Sequence, residues 1–204
     1  MAIPEIAPVD IERGGAGGQT PAMTIPSAAA DAAVPRDAVS PHGARRAILL
    51  GGLITGALDI TAAFLLAGSF GVGPVRVLHG IAEALIGPSS HQGGAATAAL
   101  GLLMHFSIAT FWTAVFYAIS RRLPALVERP FVFGPLYGAI VFILMYRVAI
   151  PLVVALNALY LAEYDKGIPP LRWRMLVIHL VCVGLPIALS VRRFGPPPGR
   201  SPAS

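Results

Sequence analysis

Four long apolar runs, Ala47–Phe70, Ala95–Ile119, Phe133–Leu156 and Met175–Val191, constrain this chain more than any other feature. Each is close to the ~20 residues that an α-helix needs to cross the hydrocarbon of a bilayer. Backbone in lipid has no water to bond with, so runs of this kind fold as helices. Composition agrees: 55% of the 204 residues are hydrophobic and 12% are charged, about half the charged share of a soluble domain. The expected fold class is all-α, an integral membrane four-helix bundle.

Little chain is left for a domain outside the bilayer. Residues 1–43 hold a Gly14–Gly18 stretch, repeated alanine and six prolines, a composition that cannot bury enough apolar surface to offset the entropy of ordering. The expected organisation is a disordered cytoplasmic tail over 1–43, a four-span domain over 44–194 and a disordered cytoplasmic end over 195–204. A secretory signal does not fit, because the tail is too long for an n-region and Asp59 interrupts the apolar run that follows. Arg45–Arg46 reads as a flanking cytoplasmic anchor rather than a twin-arginine signal.

Basic residues orient the spans. Arg13, Arg36, Arg45, Arg46, Arg121, Arg122, Arg129, Arg192, Arg193 and Arg200 fall on one side, against Arg76, Lys166, Arg172 and Arg174 on the other. The positive-inside rule then places both termini in the cytoplasm, which requires an even number of spans. The net charge of +5 does not point to nucleic acid, because the cations sit in pairs at helix ends rather than on one face. Cys182 is the single cysteine, so an intramolecular disulfide and a cysteine metal cluster are both excluded.

Between the first two spans, Pro74–Ile86 is too short to cross. Leu78, Ile81 and Leu85 recur at helical spacing, and Arg76, His79 and Glu83 take the complementary positions. This predicts a short amphipathic helix lying on the outer interface with those three polar residues facing outward. The loop Asn157–Arg174 carries Tyr160, Tyr164 and Trp173 where interfacial aromatics belong.

Each span holds one titratable or charged residue near its middle: Asp59, His105, Arg147 and His179. Counting from the flanking arginines puts all four in one layer, roughly 20 Å from the cytoplasmic side. A charge at that depth costs at least ~2.5–3.5 kcal/mol, so Asp59 and Arg147 are expected to face the bundle interior and pair. Two readings stay open. The layer is a proton or ion relay or a small-solute site, or it is a buried pair that fixes helix register and nothing more. Pro151 and Pro186 lack the N–H that the carbonyls of Arg147 and Cys182 would accept, a feature suited to a cavity but ordinary in membrane helices.

His105 and His179 on different helices could ligate haem, but one histidine per helix is common by chance, and no cofactor is expected. A metal on His79 and His91 would have to be completed by Glu83 on a mobile face, so no metal is expected either. No nucleotide loop, nucleophile elbow or catalytic dyad is present, and the chain is expected not to be an enzyme. Arg76, His79 and Glu83 are the one outward cluster suited to acid–base work. Gly52-x-x-x-Gly56 and Gly134-x-x-x-Gly138 predict close helix approach, either between the first and third spans, which would bring Asp59 to Arg147, or between two copies of the chain.

From Arg46 to Phe194 the chain resembles a group of small bacterial inner-membrane proteins with four spans, the YagU-like group. The fragments that carry this are Gly52–Ile60 (GLITGALDI), Val75–Gly94, Leu102–Phe106 (LLMHF), Tyr137–Leu152 (YGAIVFILMYRVAIPL) and His179–Arg193 (HLVCVGLPIALSVRR). The resemblance implies a multi-pass protein of the bacterial inner membrane and brings no catalytic residues or cofactor with it. Asp59, His105 and His179 match the shared pattern. Arg147 departs from it, since the similar sequences carry asparagine or an uncharged aromatic there, which puts a shared Asp–Arg pair in doubt. The expected function is binding or conduction of a proton or small solute. The alternative is an accessory subunit that docks another membrane protein through the amphipathic helix and the glycine seams. Its expected surroundings are the lipid bilayer and a second copy or another membrane protein, not nucleic acid.

Overall fold

A computed structural model describes residues 41–160 and 173–195. The expected tail up to residue 40, the end beyond 195 and the aromatic loop residues Tyr164 and its neighbours from 161 to 172 lie outside the described residues. Those described are helical and include no strand. In chain order they form α1 (Pro41–Gly68), α2 (Pro74–Ile86), a 3₁₀ turn (Gly87–Gln92), α3 (Gly94–Ser120), α4 (Ala125–Glu128), α5 (Pro130–Leu144), α6 (Ile150–Tyr160), α7 (Trp173–Ile178) and α8 (Leu185–Phe194).

Four stretches are long and apolar enough to cross a membrane: His42–Gly68, Gly94–Ser120, Pro130–Val153 and Trp173–Phe194, with mean hydropathies of 1.6 to 2.0. Each contains one of the four apolar runs or nearly all of it. The first helix is described from Pro41 onward, within the stretch read as tail. It ends where Gly71 takes a positive φ of 76° and the Val72 N–H closes onto the Ala67 carbonyl at 3.0 Å, a glycine stop of the Schellman type.

Spans three and four are not regular. The helix widens into one π turn at Met145–Ala149, between α5 and α6, and another at His179–Gly184, between α7 and α8. The Ile150 N–H reaches back five residues to the Met145 carbonyl, and the Leu185 N–H to that of Leu180. Each wide turn ends two residues before a proline, Pro151 or Pro186. A proline ring crowds the carbonyl four residues before it, and a π turn is one of the adjustments by which membrane helices re-satisfy the groups so released. Arg147 and His179 both sit in these turns.

The glycine seams correct one expectation. Gly52 and Gly56 do not meet Gly134 and Gly138. A Cβ built on Gly52 would strike Thr110, and one on Gly56 would stand 2.6 Å from Phe106, both on α3. Gly134 and Gly138 instead receive span four: a Cβ on Gly134 would lie 2.9 Å from the Leu185 Cα, and one on Gly138 would run into the His179 carbonyl. Both motifs allow close backbone approach, as small residues do in lipid, but each is occupied by a different neighbour within the chain. Near the start of α1, Gly51 faces Thr113 of α3 and Ser190 of α8 in one layer. Phe116, Tyr137, Val141, Val183, Ile187 and Ala188 fill the core between spans two, three and four.

Candidate functional site

The site assembles at the level of the mid-span polar residues. On α1, Thr55 and Asp59 are four residues apart and share a face. Asp59 is seven residues from Gly52, two helical turns, so it lies on the seam side that α3 covers. His105 on α3 donates from Nε2 to the Gly56 carbonyl at 2.9 Å. A carbonyl only accepts, so Nε2 carries the proton. The same nitrogen is 3.9 Å from Asp59 Oδ2, a charge-range contact rather than a hydrogen bond. Both side chains are largely buried, His105 at 13% and Asp59 at 17% exposure.

His179 joins from span four. Its Nδ1 donates to the Met175 carbonyl one turn back at 2.9 Å, and its ring stands edge-on to Phe142 at 5.3 Å between centroids. Asp59, His105 and His179 together line a cavity of about 270 Å³. Its wall is otherwise mostly apolar, including Met104, Ile108 and Trp112 from α3 and Val141 from α5, and Gly80, Ile81 and Ala84 of α2 close one side. Two polar atoms in this wall are buried without a hydrogen-bond partner, Asp59 Oδ1 and Thr55 Oγ1. Buried polar atoms are rarely left so, and the exceptions call for an explanation.

Arg147 is not part of this arrangement. It is exposed on the outer side of its π turn and does not line the cavity. Among the described residues no ion pair joins it to Asp59, which corrects the expected buried pair. The reason lies on the helical wheel. Nine residues separate Gly138 from Arg147, about half a turn at ~100° per residue, so the arginine points away from the face that the seam glycines pack. Depth along the span was readable from the arginine anchors, whereas direction is set by the glycines. Asp59→Asn and Arg147→Gln should therefore combine additively, within ~0.5 kcal/mol, in thermal unfolding of the single and double variants in detergent. A coupling of several kcal/mol would show a pair after all.

The second correction concerns α2. His79 and Glu83 do not face outward: they are 7% and 4% exposed, while Val75 and Leu85 are 55% and 60% exposed. Of the three, Arg76 alone lies on the surface. His79 donates from Nε2 to the Gly94 carbonyl at 2.8 Å, and the Glu83 carboxylate accepts from His91 Nε2 at 3.1 Å. The two imidazoles meet edge to face at 5.7 Å. On this helix the polar side chains find hydrogen-bond partners inside the protein, while Val75 and Leu85 are left on the surface. The backbone of α2 comes close to α3 at Gly101, where a Cβ would run into the Leu78 carbonyl. This polar cluster ties α2 and its 3₁₀ turn to the start of α3. Among the described residues, no group of three metal-capable side chains has the geometry to hold an ion.

Thr55, Trp112 and Gly80 were not singled out from the sequence. Thr55 could have been found from its spacing of four before Asp59. Gly80 carried no signal, since a glycine within a short helix reads only as a weak helix former. No protein-family model, no curated protein and no solved structure matches the chain.

Proposed function

We propose that this chain is a multi-pass protein of the bacterial inner membrane with both termini in the cytoplasm, and that its central pocket binds a proton or small solute and passes it across the bilayer. The observation that carries this reading is Asp59: an acidic side chain at mid-span depth in the lining of a cavity, with one oxygen buried and without a hydrogen-bond partner. An ionisable group there is expensive and marks a path or a site by default. The arginine asymmetry and the outline shared with the YagU-like group support the location and orientation. In this reading the four spans form a bundle and α2 lies at the outer interface, closing the pocket from that side. An accessory-subunit role draws support from the exposed Val75 and Leu85, but the glycine seams it would also use are occupied within the chain.

Proteoliposomes loaded with a pH-sensitive dye test the reading. Under an imposed proton gradient, wild-type protein should collapse the gradient faster than empty vesicles. Asp59→Asn should return the rate to that of empty vesicles, and Arg76→Gln, on the surface, should leave it unchanged. A wild-type rate equal to that of empty vesicles would remove proton conduction, leaving a solute site or the accessory role.

A further inference from the structure

We infer that the pocket takes a small organic cation, a protonated amine on a compact apolar body. This rests on the reading of the pocket as an open site and adds the chemistry of what enters it. The volume comes first. At about 270 Å³ the cavity lies just below the ~300–1,000 Å³ of sites for drug-sized ligands, so it admits a small molecule.

Charge comes next. Among the described residues, Asp59 is the one acidic side chain in the lining, and no arginine or lysine accompanies it. An anion would meet an uncompensated carboxylate. A neutral solute would leave that carboxylate buried and unpaired, at a cost well above that of a missing neutral hydrogen bond. A bare metal cation is no better served, because calcium takes six to eight oxygen ligands and magnesium six. Among the described residues, the side chains of the lining offer oxygens only from Asp59 and Thr55.

An ammonium group answers these conditions. It has three N–H donors and no acceptor, and the Asp59 carboxyl group, on a side chain 17% exposed that lines the wall, is able to accept. His105 does not compete for it, because its Nε2 proton is held by the Gly56 carbonyl. The rest of the wall suits the body of the molecule: Met104, Ile108 and Val141 are apolar, and Trp112 adds an aromatic surface of the kind that attracts cations.

Trp112 also supplies the readout. With Trp173→Phe as background, Trp112 is the one tryptophan left. In nanodiscs of zwitterionic lipid, phenethylamine, its neutral analogue 2-phenylethanol and the anion phenylacetate are each titrated against Trp112 fluorescence. Phenethylamine should bind at least tenfold more tightly than either analogue, and Asp59→Asn should bring it down to the level of the alcohol. Gly80→Phe should abolish binding of all three by filling the cavity. A Cβ at Gly80 meets nothing within 4 Å, and thermal unfolding of that variant checks that it folds. If the alcohol binds as well as the amine, or if Asp59→Asn leaves amine affinity unchanged, the cation inference is overturned while the pocket stands as a site. If no probe alters the fluorescence of wild type or of Gly80→Phe, the pocket reading itself fails, and this inference with it.

Discussion

Gly184→Ala should lower the thermal midpoint of the detergent-solubilised protein sharply, and Gly184→Leu should prevent spans three and four from docking at all. A Cβ on Gly184 would run into the Gly134 carbonyl oxygen and stand 2.7 Å from the Gly138 Cα. Everything it meets is backbone, so no side-chain rotation relieves the clash and the two helices must separate. Overpacking of a filled core costs about 1–3 kcal/mol, and a contact with two backbone segments belongs at the upper end of that range or beyond. The opposite face of the seam behaves alike, since a Cβ on Gly138 would strike the His179 carbonyl. Gly68→Ala is the control: nothing lies within 4 Å of a Cβ there, and its midpoint should stay within a degree or two of wild type. A tolerant Gly184 would mean that the spans do not approach as described.

Tyr137→Ala should be the most damaging change at a side chain. Tyr137 packs edge-on against Phe116 at 4.9 Å and Trp112 at 6.4 Å, and its hydroxyl donates to the Trp112 carbonyl at 2.7 Å. It therefore joins span three to span two directly beside the pocket wall. In lipid the transfer term that drives burial in water is largely absent, so the loss comes from the cavity and the hydrogen bond. Roughly 100 Å³ of lost side chain at ~24 cal/mol per Å³, with ~1 kcal/mol for the bond, gives about 3 kcal/mol. Tyr137→Phe keeps the ring and should lose only about 1 kcal/mol. Chemical or thermal unfolding of the two variants side by side separates the contributions. Equal effects would make the hydroxyl, not the ring, the determinant.

The spans were legible because length and apolarity alone specify a membrane helix, and each described span contains one of the four runs or nearly all of it. The depth of Asp59, His105 and His179 was legible for the same reason, since rise per residue converts sequence distance into depth. Direction was only half legible. On α1, the spacing from Gly52 places Asp59 on the packed face; on α5, the same arithmetic from Gly138 turns Arg147 away, and an argument from depth alone overlooks it. The face of α2 misled for a physical reason: polar and apolar stripes do not say which side is covered by the rest of the chain, and here His79 and Glu83 are the buried ones. The pairing of the glycine seams was not legible, because Gly-x-x-x-Gly offers a close approach without naming its partner.

The wide turn at Met145–Ala149 has a consequence for how this chain tolerates change in its length. Met145 and Ile150 both line the cavity, although five residues in a regular α-helix lie about 140° apart. The extra width of the turn, closed by the bond from Ile150 back to Met145, brings them toward one side. A π turn is equivalent to one residue inserted into a regular helix. Removing a single residue between them would restore the ordinary winding with Met145 and Ile150 four positions apart, about 40° around the helix, so Ile150 would keep its place in the wall. The wide turn thus holds one residue more than the facing of the two half-spans requires, and a one-residue deletion inside it would leave the lining side chains of span three on the same side.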